Sequence, residues 1–222
     1  MRSYKNNLRL LRLNGGFAAA ALLSLVVLLT PAQLFKPGSA PFLERDDRLE
    51  GSKIFELLNV YSVVRKRMTD ASDSSVWAVS KTILEESRRH ALDPLLVVAL
   101  INVESGFQLR AASADGARGL MQIQPFSAKA IAEQRRSVYQ KDKHVSGGDP
   151  DLDNPIVNIK LGVFYLHSLR QSFSDLKVAL AAYNQGPTQV KNLLVEEEDV
   201  PSDYAMKVLS TYHGYRKGAR DR

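Results

Sequence analysis

The sequence contains no cysteine among its 222 residues. This absence excludes disulfide bonds, thiolate metal sites, a thiol nucleophile and a lipid-modified N-terminal cysteine. The glycine-rich motifs that hold nucleotide phosphates, Gly-x-Gly-x-x-Gly and Gly-x-x-x-x-Gly-Lys, are also absent. None of the four histidines has metal-ligand spacing with a glutamate. We therefore predict a protein that uses no metal, no nucleotide and no other cofactor.

Alternating polar and apolar runs, internal repeats and low-complexity tracts are missing as well. Hydrophobic residues make up 45% of the chain and recur with helical spacing, which predicts a mostly α fold with a buried core. The net charge is +6, and much of the positive charge lies at the two ends. Such a balance favours an acidic partner, which includes nucleic acid, anionic lipid and cell-wall polymer.

The first 40 residues have the pattern of an export signal. Four cations precede an uncharged run over 13–35, whose apolar centre is 17–29. With its uncharged flanks, the apolar centre reaches about 20 residues, which is long enough to cross a bilayer. A cleaved signal peptide and an uncleaved anchor both remain open, and we favour the anchor because neither small-residue cleavage site is a clean Ala-x-Ala. In both cases the rest of the chain is expected to be exported.

Composition divides the chain into four segments. These are a signal or anchor with its linker, 1–40, an amphipathic helix and linker, 41–73, the main domain, 74–215, and a basic tail, 216–222. Within the second segment, helical spacing of apolar residues runs from 44 to about 68. We favour a helix docked on the main domain, and the alternative is a stalk or partner-binding helix.

The segment 93–106 is expected to form the helix around which the main domain is organised. Asp93 suits the N-cap, a proline follows it, and Gly106 suits the stop. Because the helix is apolar on nearly all faces, it should be buried. Glu104 lies at its end, where burial and the helix dipole both disfavour a charged carboxyl group. It is a candidate general acid, and the alternative is a terminal glutamate pointing into water.

The remaining main-domain helices follow from caps, breaks and apolar spacing. We expect them at 76–91, over part of 120–134 with an interruption at Pro125, from Asn154 to 171, from a cap at Ser174 to 182, at 187–195, and from a cap at Ser202 to about 212. Residues 137–150 are expected to form a surface loop, since they are rich in glycine and charge.

Two short segments contain the residue types of a carbohydrate cleft. The segments 119–125 and 181–187 set amides and a phenol among apolar residues near helix ends. Such side chains suit sugar hydroxyls and N-acetyl groups. A second carboxylate, usual in glycan cleavage, is not obvious, because Asp115 lies in a turn-like Ser-Ala-Asp-Gly-Ala setting. Each segment alone is typical of a turn or helix end, but together with Glu104 they favour a cleft.

Four motifs in order resemble the catalytic domain of bacterial soluble lytic transglycosylases. They are Glu-Ser-Gly-Phe at 104–107, Gly-Ala-Arg-Gly-Leu-Met-Gln at 116–122, Asn-Ile-Lys-Leu-Gly-x-x-Tyr-Leu at 158–166, and Ala-Tyr-Asn-Gln-Gly-Pro at 182–187. The resemblance covers roughly residues 80–213 and implies the goose-type form of the lysozyme fold. It also implies non-hydrolytic cleavage of peptidoglycan glycan strands in the periplasm, giving 1,6-anhydromuramic acid ends, without nucleic acid as a partner.

The resemblance further implies roles for individual residues. Glu104 would act first as acid and then as base, which explains the missing second carboxylate, and Tyr183 would contact its carboxyl group. The implied substrate-binding residues are Ser113, Leu120, Met121, Gln122, Gln124, Tyr183 and Asn184, with Ser105 and Gly119 as structural residues beside the site. The sequence departs from the family pattern at positions that concern the saccharide-binding subsites. Gln124 replaces a frequent methionine, and Phe-Ser at 126–127 replaces Gly-Thr. Gln185 replaces a small residue, and the segment 200–204 lacks the usual Glu-Thr-x-x-Tyr pattern.

Two other functions stay open at this point. A lysozyme-like hydrolase of the same fold would need Asp115 or another loop carboxylate to face Glu104 across a water. A slow wall-binding scaffold of an envelope-spanning complex would use the basic tail and the 44–68 helix for docking. The expected partners are thus peptidoglycan, the inner membrane through 13–35 if this run is uncleaved, and such a complex.

Overall fold

Eight α-helices make up most of the residues that the structure, a computed structural model, describes, 47–138 and 149–221. They are α1 (Asp47–Arg67), α2 (Asp73–Arg89), α3 (Pro94–Ser105), α4 (Pro125–Val138), α5 (Pro155–Ser172), α6 (Leu176–Gln185), α7 (Pro187–Val195) and α8 (Asp203–Arg220). The described residues hold only isolated β-bridges, centred on Arg118. The predicted mostly α fold is therefore confirmed.

The predicted signal or anchor segment, 1–40, and most of the predicted loop at 137–150 lie outside the described residues. From Arg48 onward the described residues belong to one compact unit. None of the described helices is both long enough and apolar enough to cross a membrane.

The central helix α3 forms as its sequence predicts. The Asp93 Oδ1 atom accepts a hydrogen bond from the Leu95 amide at 2.8 Å, and Pro94 occupies the first turn. Gly106 ends the helix with a left-handed φ of 59°, a conformation that costs glycine little. The middle of α3 is buried on all sides, and the helix packs along α8. This arrangement places the last turn of α3 beside the first turn of α8.

The helix predicted around 44–68 is docked on the domain, as we favoured. Val60 and Val64 of α1, and Met68 directly after it, are buried in the common hydrophobic core. Residues 51–55 of α1 are exposed. The buried side chains that fix α1 on the core therefore come from its last two turns and the residue that follows.

Three predicted helix boundaries were wrong. Pro125 begins α4 rather than interrupting a helix, because a proline needs no backbone partner in the first turn. Asp175, not Ser174, caps α6, since its carboxylate accepts from the Lys177 amide at 2.6 Å. Helix α8 continues to Arg220, well past the expected end near 212, and its basic last turn suits the negative end of the helix dipole.

Candidate active site

The carboxyl group of Glu104 lies in the last turn of α3, partly buried beneath α8. Its Oε1 atom accepts a hydrogen bond from the hydroxyl of Tyr204. Burial raises the pKa of Glu104 to about 7, although the Tyr204 hydrogen bond and the charge of Lys207 act in the opposite direction. This upward shift of the pKa matches the sequence-based expectation for a carboxyl group at the end of a buried helix. Near neutral pH, this group is thus available in both protonation states.

Sequence reasoning missed Tyr204, the residue whose hydroxyl bonds to the Glu104 carboxyl group. It lies in the first turn of α8, one hundred residues from Glu104 in the chain. Burial, the Glu104 charge and the shared hydrogen bond raise the pKa of the Tyr204 hydroxyl far above its ordinary range. The hydroxyl therefore keeps its proton and remains a donor. The sequence signal for Tyr204 was the final tyrosine of the family pattern, which the segment 200–204 retains although the rest of the pattern is missing.

The hydroxyl of Tyr183 makes its hydrogen bond to the backbone rather than to the Glu104 carboxyl group that the resemblance implied. Its hydroxyl donates to the Met121 carbonyl oxygen at 2.9 Å, and its ring lies 5.3 Å from that of Tyr165. Burial raises the pKa of Tyr183 well above its ordinary value, and the nearby charge of Glu104 contributes. Tyr183 is thus close to the site, but the tyrosine bonded to the carboxyl group is Tyr204. Tyr183 holds the backbone under the site instead.

Ser105 braces the turn that follows the central helix. Its hydroxyl donates to the Leu120 carbonyl oxygen at 2.8 Å and accepts from the Phe107 amide at 3.2 Å. The side chain is buried, with 8% of its surface exposed. These bonds join the end of α3 to the loop at 116–122. A structural role beside the site is what the family resemblance implied for this serine.

Asn158 fixes the same loop from the side of α5. Its Oδ1 accepts from the Met121 amide at 2.7 Å, and its Nδ2 donates to the carbonyl oxygens of Arg118 and Leu152 at 2.8 and 3.1 Å. The side chain is fully buried. Gly119 passes so close that a Cβ there would lie 2.3 Å from this Nδ2. Only glycine fits at 119, which accounts for its place beside the site.

The expected substrate-binding residues fall into two groups. Leu120 and Met121 are fully buried, so their side chains belong to the core and do not reach a ligand at the surface. The resemblance implies that these two residues shape the floor of the site, and their burial agrees with that position. The exposed members are Ser113, Gln124 and Asn184. The Ser113 hydroxyl accepts a hydrogen bond from the Ala117 amide at 3.0 Å, within the loop that precedes Gly119.

Gln122 is half-buried, and its amide group is engaged with the loop. Its Nε2 donates to the carbonyl oxygens of Ala111 and Gly119 at 3.1 and 2.9 Å. Its φ of 48° lies in the left-handed region, which is uncommon for a residue with a side chain. Strained backbone of this kind persists where surrounding contacts impose it. These contacts hold the Gln122 amide in a defined orientation beside the site.

Among the described residues, no second carboxyl group contributes to the pKa shift of Glu104. The charged or polar side chains that shift the pKa of Glu104 are those of Tyr204 and Lys207. Asp115, the candidate second carboxylate, is exposed in the turn before Gly116. Within 47–138 and 149–221, no group of three or more histidine, aspartate or glutamate side chains is arranged to hold a metal ion.

Comparison with protein families gives one match of direct relevance. The family described as "Transglycosylase SLT domain" matches residues 81–205. This range contains Glu104, Tyr183 and Tyr204, together with the loop at 116–122. It begins within α2 and ends in the first turn of α8.

The curated relatives that match this chain are longer than the matched part. The protein described as "Putative soluble lytic murein transglycosylase" from Haemophilus influenzae is 30% identical over 149 residues, covering 67% of this chain and 24% of that protein. "Membrane-bound lytic murein transglycosylase E" from Buchnera aphidicola is 37% identical over 84 residues, covering 38% of this chain and 37% of that one. The chain therefore spans 24% and 37% of the lengths of these two relatives.

Two solved structures share the fold. The lytic transglycosylase Slt of Pseudomonas aeruginosa, in an inactive mutant, is 28% identical with a TM-score of 0.51, over 63% of this chain and 24% of that one. The 70 kDa soluble lytic transglycosylase of Escherichia coli is 24% identical with a TM-score of 0.52, over 62% of this chain and 24% of that one. The second likeness concerns the fold alone.

Proposed function

This chain belongs to the transglycosylase SLT domain family, and we propose from that premise that it is a peptidoglycan lytic transglycosylase. It would cleave the β-1,4 bond between N-acetylmuramic acid and N-acetylglucosamine without adding water. The observation that carries the proposal is Glu104, a partly buried carboxyl group whose pKa is raised to about 7. Such a group can give and take a proton at neutral pH, as this reaction requires.

The proposed reaction has two proton transfers through one group. Glu104 first donates its proton to the glycosidic oxygen, so the bond from this oxygen to C1 of the muramic acid breaks. The Glu104 carboxylate then accepts the proton of the C6 hydroxyl, whose oxygen forms a bond to C1. The products are a 1,6-anhydro end and a free 4-hydroxyl, and Glu104 returns to its starting state.

A single carboxyl group is sufficient because the nucleophile belongs to the substrate. An intramolecular hydroxyl has a high effective concentration, so no second carboxylate is needed to position water. The N-acetyl oxygen of the substrate can stabilise the cationic centre, as in substrate-assisted glycosidases. The described residues support this account, since the side chains that act on the pKa of Glu104 are those of Tyr204 and Lys207, and no carboxyl group is among them.

Tyr204 is proposed to prepare Glu104 for both steps. Its hydrogen bond to Oε1 leaves the other carboxyl oxygen to carry the reacting proton. The same bond stabilises the carboxylate that forms after proton donation. Burial alone would hold the pKa higher and weaken the second step, so Tyr204 balances the acid and the base functions.

Surface side chains near the site are proposed to bind the glycan. Ser113, Gln124 and Asn184 are exposed, and Gln122 is held in place by its own loop. Amide and hydroxyl groups suit the sugar hydroxyls and N-acetyl groups of this substrate. Tyr183, with the two buried residues of the loop, would keep the cleft floor in shape.

We place the activity in the periplasm, with residues 13–35 as a membrane anchor. Support comes from the uncharged run and the cations before it. Among relatives, one is named soluble and another membrane-bound, so both forms occur with this domain. Docking to an envelope-spanning complex remains a proposal based on the helix at 44–68 and the basic C-terminal residues.

The decisive experiment is mass spectrometry of products from purified sacculi, digested by the full chain in water labelled with oxygen-18. We expect unlabelled 1,6-anhydromuramic acid ends from the wild type and none from Glu104→Gln. The matched control is Glu196→Gln, because Glu196 is exposed at the end of α7. Reducing ends labelled from water would identify a hydrolase and overturn the proposed reaction.

Two further outcomes test separate parts of the proposal. Full activity of Glu104→Gln would remove Glu104 as the acid while leaving the reaction class intact. A wild type that binds sacculi but releases no product would favour the wall-binding scaffold instead.

A further inference from the structure

An exposed apolar patch lies on the first two helices of the domain. It consists of Ile54, Phe55 and Leu58 of α1 with Trp77 of α2, and their side chains are 57, 57, 53 and 46% exposed. We call these four residues the helical apolar patch. Single exposed hydrophobic residues are common on protein surfaces, but a cluster of large ones marks an interaction surface.

The members of the helical apolar patch adjoin one another. Ile54, Leu58 and Tyr61 follow at intervals of four and three residues, so they form one stripe along α1. The Tyr61 ring lies 5.8 Å from the ring of Trp77, which connects the stripe to α2. Phe55 lies one turn before Leu58 on the outer side of the stripe. The result is a continuous surface across two helices.

The domain does not need this surface for its core. The end of α1 and the residue after it pack on the core through Val60, Val64 and Met68, while Tyr61 is partly buried against this core. The hydrogen bond from Arg88 Nε to Glu56 Oε2, at 3.0 Å, ties α1 to the end of α2. The patch is therefore presented by two helices that are fixed to each other, rather than by a free segment.

We propose that the helical apolar patch inserts into the interfacial region of a lipid bilayer. Tryptophan, phenylalanine and leucine are the residue types that enter this region from amphipathic helices. Two ion pairs beside the patch neutralise their charges, since Glu56 pairs with Arg88 and Glu85 pairs with Lys81. Apolar contact rather than charge is therefore expected to hold the patch in the bilayer.

The length of chain before α1 favours a bilayer over other occupants. The uncharged run at 13–35 is long enough to cross a membrane. Only the residues 36–46 separate it from α1, so even fully extended they span at most about 40 Å. A domain tethered this closely meets the membrane surface at a high effective concentration. The inference rests on the proposed anchor at 13–35 but does not depend on the proposed reaction.

The test uses Trp77, which is the one tryptophan of the whole chain. The full chain is reconstituted into vesicles of phosphatidylethanolamine and phosphatidylglycerol, with or without bromine on the lipid acyl chains. We expect blue-shifted Trp77 emission and strong quenching by the brominated lipid. Because bromine quenches only on contact, the measurement reports the patch itself rather than the anchor.

The test variant is Phe55→Ser with Leu58→Ser, which leaves the fluorescent residue in place. Losing two half-exposed apolar side chains should lower the ratio of domains docked on the bilayer to undocked domains by roughly tenfold or more. The matched control is Leu194→Ser with Val195→Ser, because these residues are also exposed, at 46 and 82%, but lie on α7. The control should quench like the wild type. Ile54→Ser provides a milder change, and circular dichroism verifies the fold of each variant.

Three outcomes would overturn the proposal. The first is wild-type emission that brominated lipid does not quench. The second is equal quenching of wild type and the Phe55/Leu58 variant, since the patch would then contribute nothing. The third is blue-shifted emission without quenching together with concentration-dependent cross-linking, which would identify a second copy of the chain as the occupant.

Discussion

The hydroxyl of Tyr204 donates a hydrogen bond to Glu104 and so joins the start of α8 to the end of α3. At the opposite end of α3, the Tyr212 hydroxyl donates to Asp93 Oδ2 at 2.6 Å. The same aspartate caps the helix through its other oxygen. Two tyrosines of α8 thus hold carboxyl groups at both ends of α3. The position of Glu104 therefore depends on the packing of α8.

Removing the Tyr204 hydroxyl should move the pH profile of the enzyme. In Tyr204→Phe the hydrogen bond that lowers the pKa of Glu104 is lost, so this pKa rises further. The fall of kcat/KM at high pH, where the acid loses its proton, should shift to higher pH. At the same time kcat should decrease, because the carboxylate intermediate is less stable. Sacculus digestion followed across the pH range measures both effects.

Tyr212→Phe is the control for this change, since it removes a hydroxyl from the same helix without touching Glu104. Its pH profile should match that of the wild type. A Tyr204→Phe profile that is unshifted, or shifted to lower pH, would show that the hydrogen bond does not set the pKa.

The stability of the domain should decrease with pH because of Glu104. Its pKa is raised in the folded state from 4.5 to about 7. Below pH 4.5 the folded and unfolded states both hold the proton; above it the unfolded state loses the proton first, and this favours unfolding. The penalty is complete above about pH 7, at roughly 2 kcal/mol after allowance for partial exposure.

Glu104→Gln removes this penalty, so its stability relative to the wild type should increase between pH 4 and pH 8. Urea unfolding monitored by circular dichroism at several pH values measures the difference. The exposed Glu196→Gln control should show no such trend. A constant difference between Glu104→Gln and wild type at all pH values would contradict a raised pKa.

Asn158→Ala should destabilise the domain strongly. The substitution leaves the Met121 amide and the Arg118 and Leu152 carbonyl oxygens without their buried partner. Unsatisfied buried groups of this kind cost about 1–3 kcal/mol each, partly offset by rearrangement, so we expect a loss of about 3 kcal/mol. Asn192→Ala, at an exposed position of α7, should change stability little. An equal effect of the two would disprove the role of Asn158.

Two glycine-to-alanine substitutions in helices should change the stability of the domain in opposite directions. A Cβ at Gly162 would lie 2.5 Å from Met121 Sδ and 2.7 Å from Met121 Cβ. The Met121 backbone is held by Asn158 and yields little, so Gly162→Ala should cost about 1–3 kcal/mol. A Cβ at Gly214 meets nothing within 4 Å, so Gly214→Ala should stabilise α8 by about 0.5–1 kcal/mol. Thermal unfolding of both variants tests the contrast.

Local sequence features correctly predicted those parts of the fold that depend only on residues nearby in the chain. The cap at Asp93, the stop at Gly106 and the apolar faces between them specify α3 without reference to any other helix. For the same reason the raised pKa of Glu104 followed from its place at the end of that helix. Pro125 shows the limit, because a proline is compatible with the start of a helix and with an interruption.

The sequence by itself thus determined the helical class, the central helix and the acid at its end, since caps, stops and apolar periodicity act over a few residues. Only the tertiary structure decided which tyrosine reaches Glu104. Tyr183 and Tyr204 both lie at helix ends, and the choice depends on how α8 packs along α3. It likewise decided that Leu120 and Met121 face the core, because burial in a loop depends on contacts with distant helices.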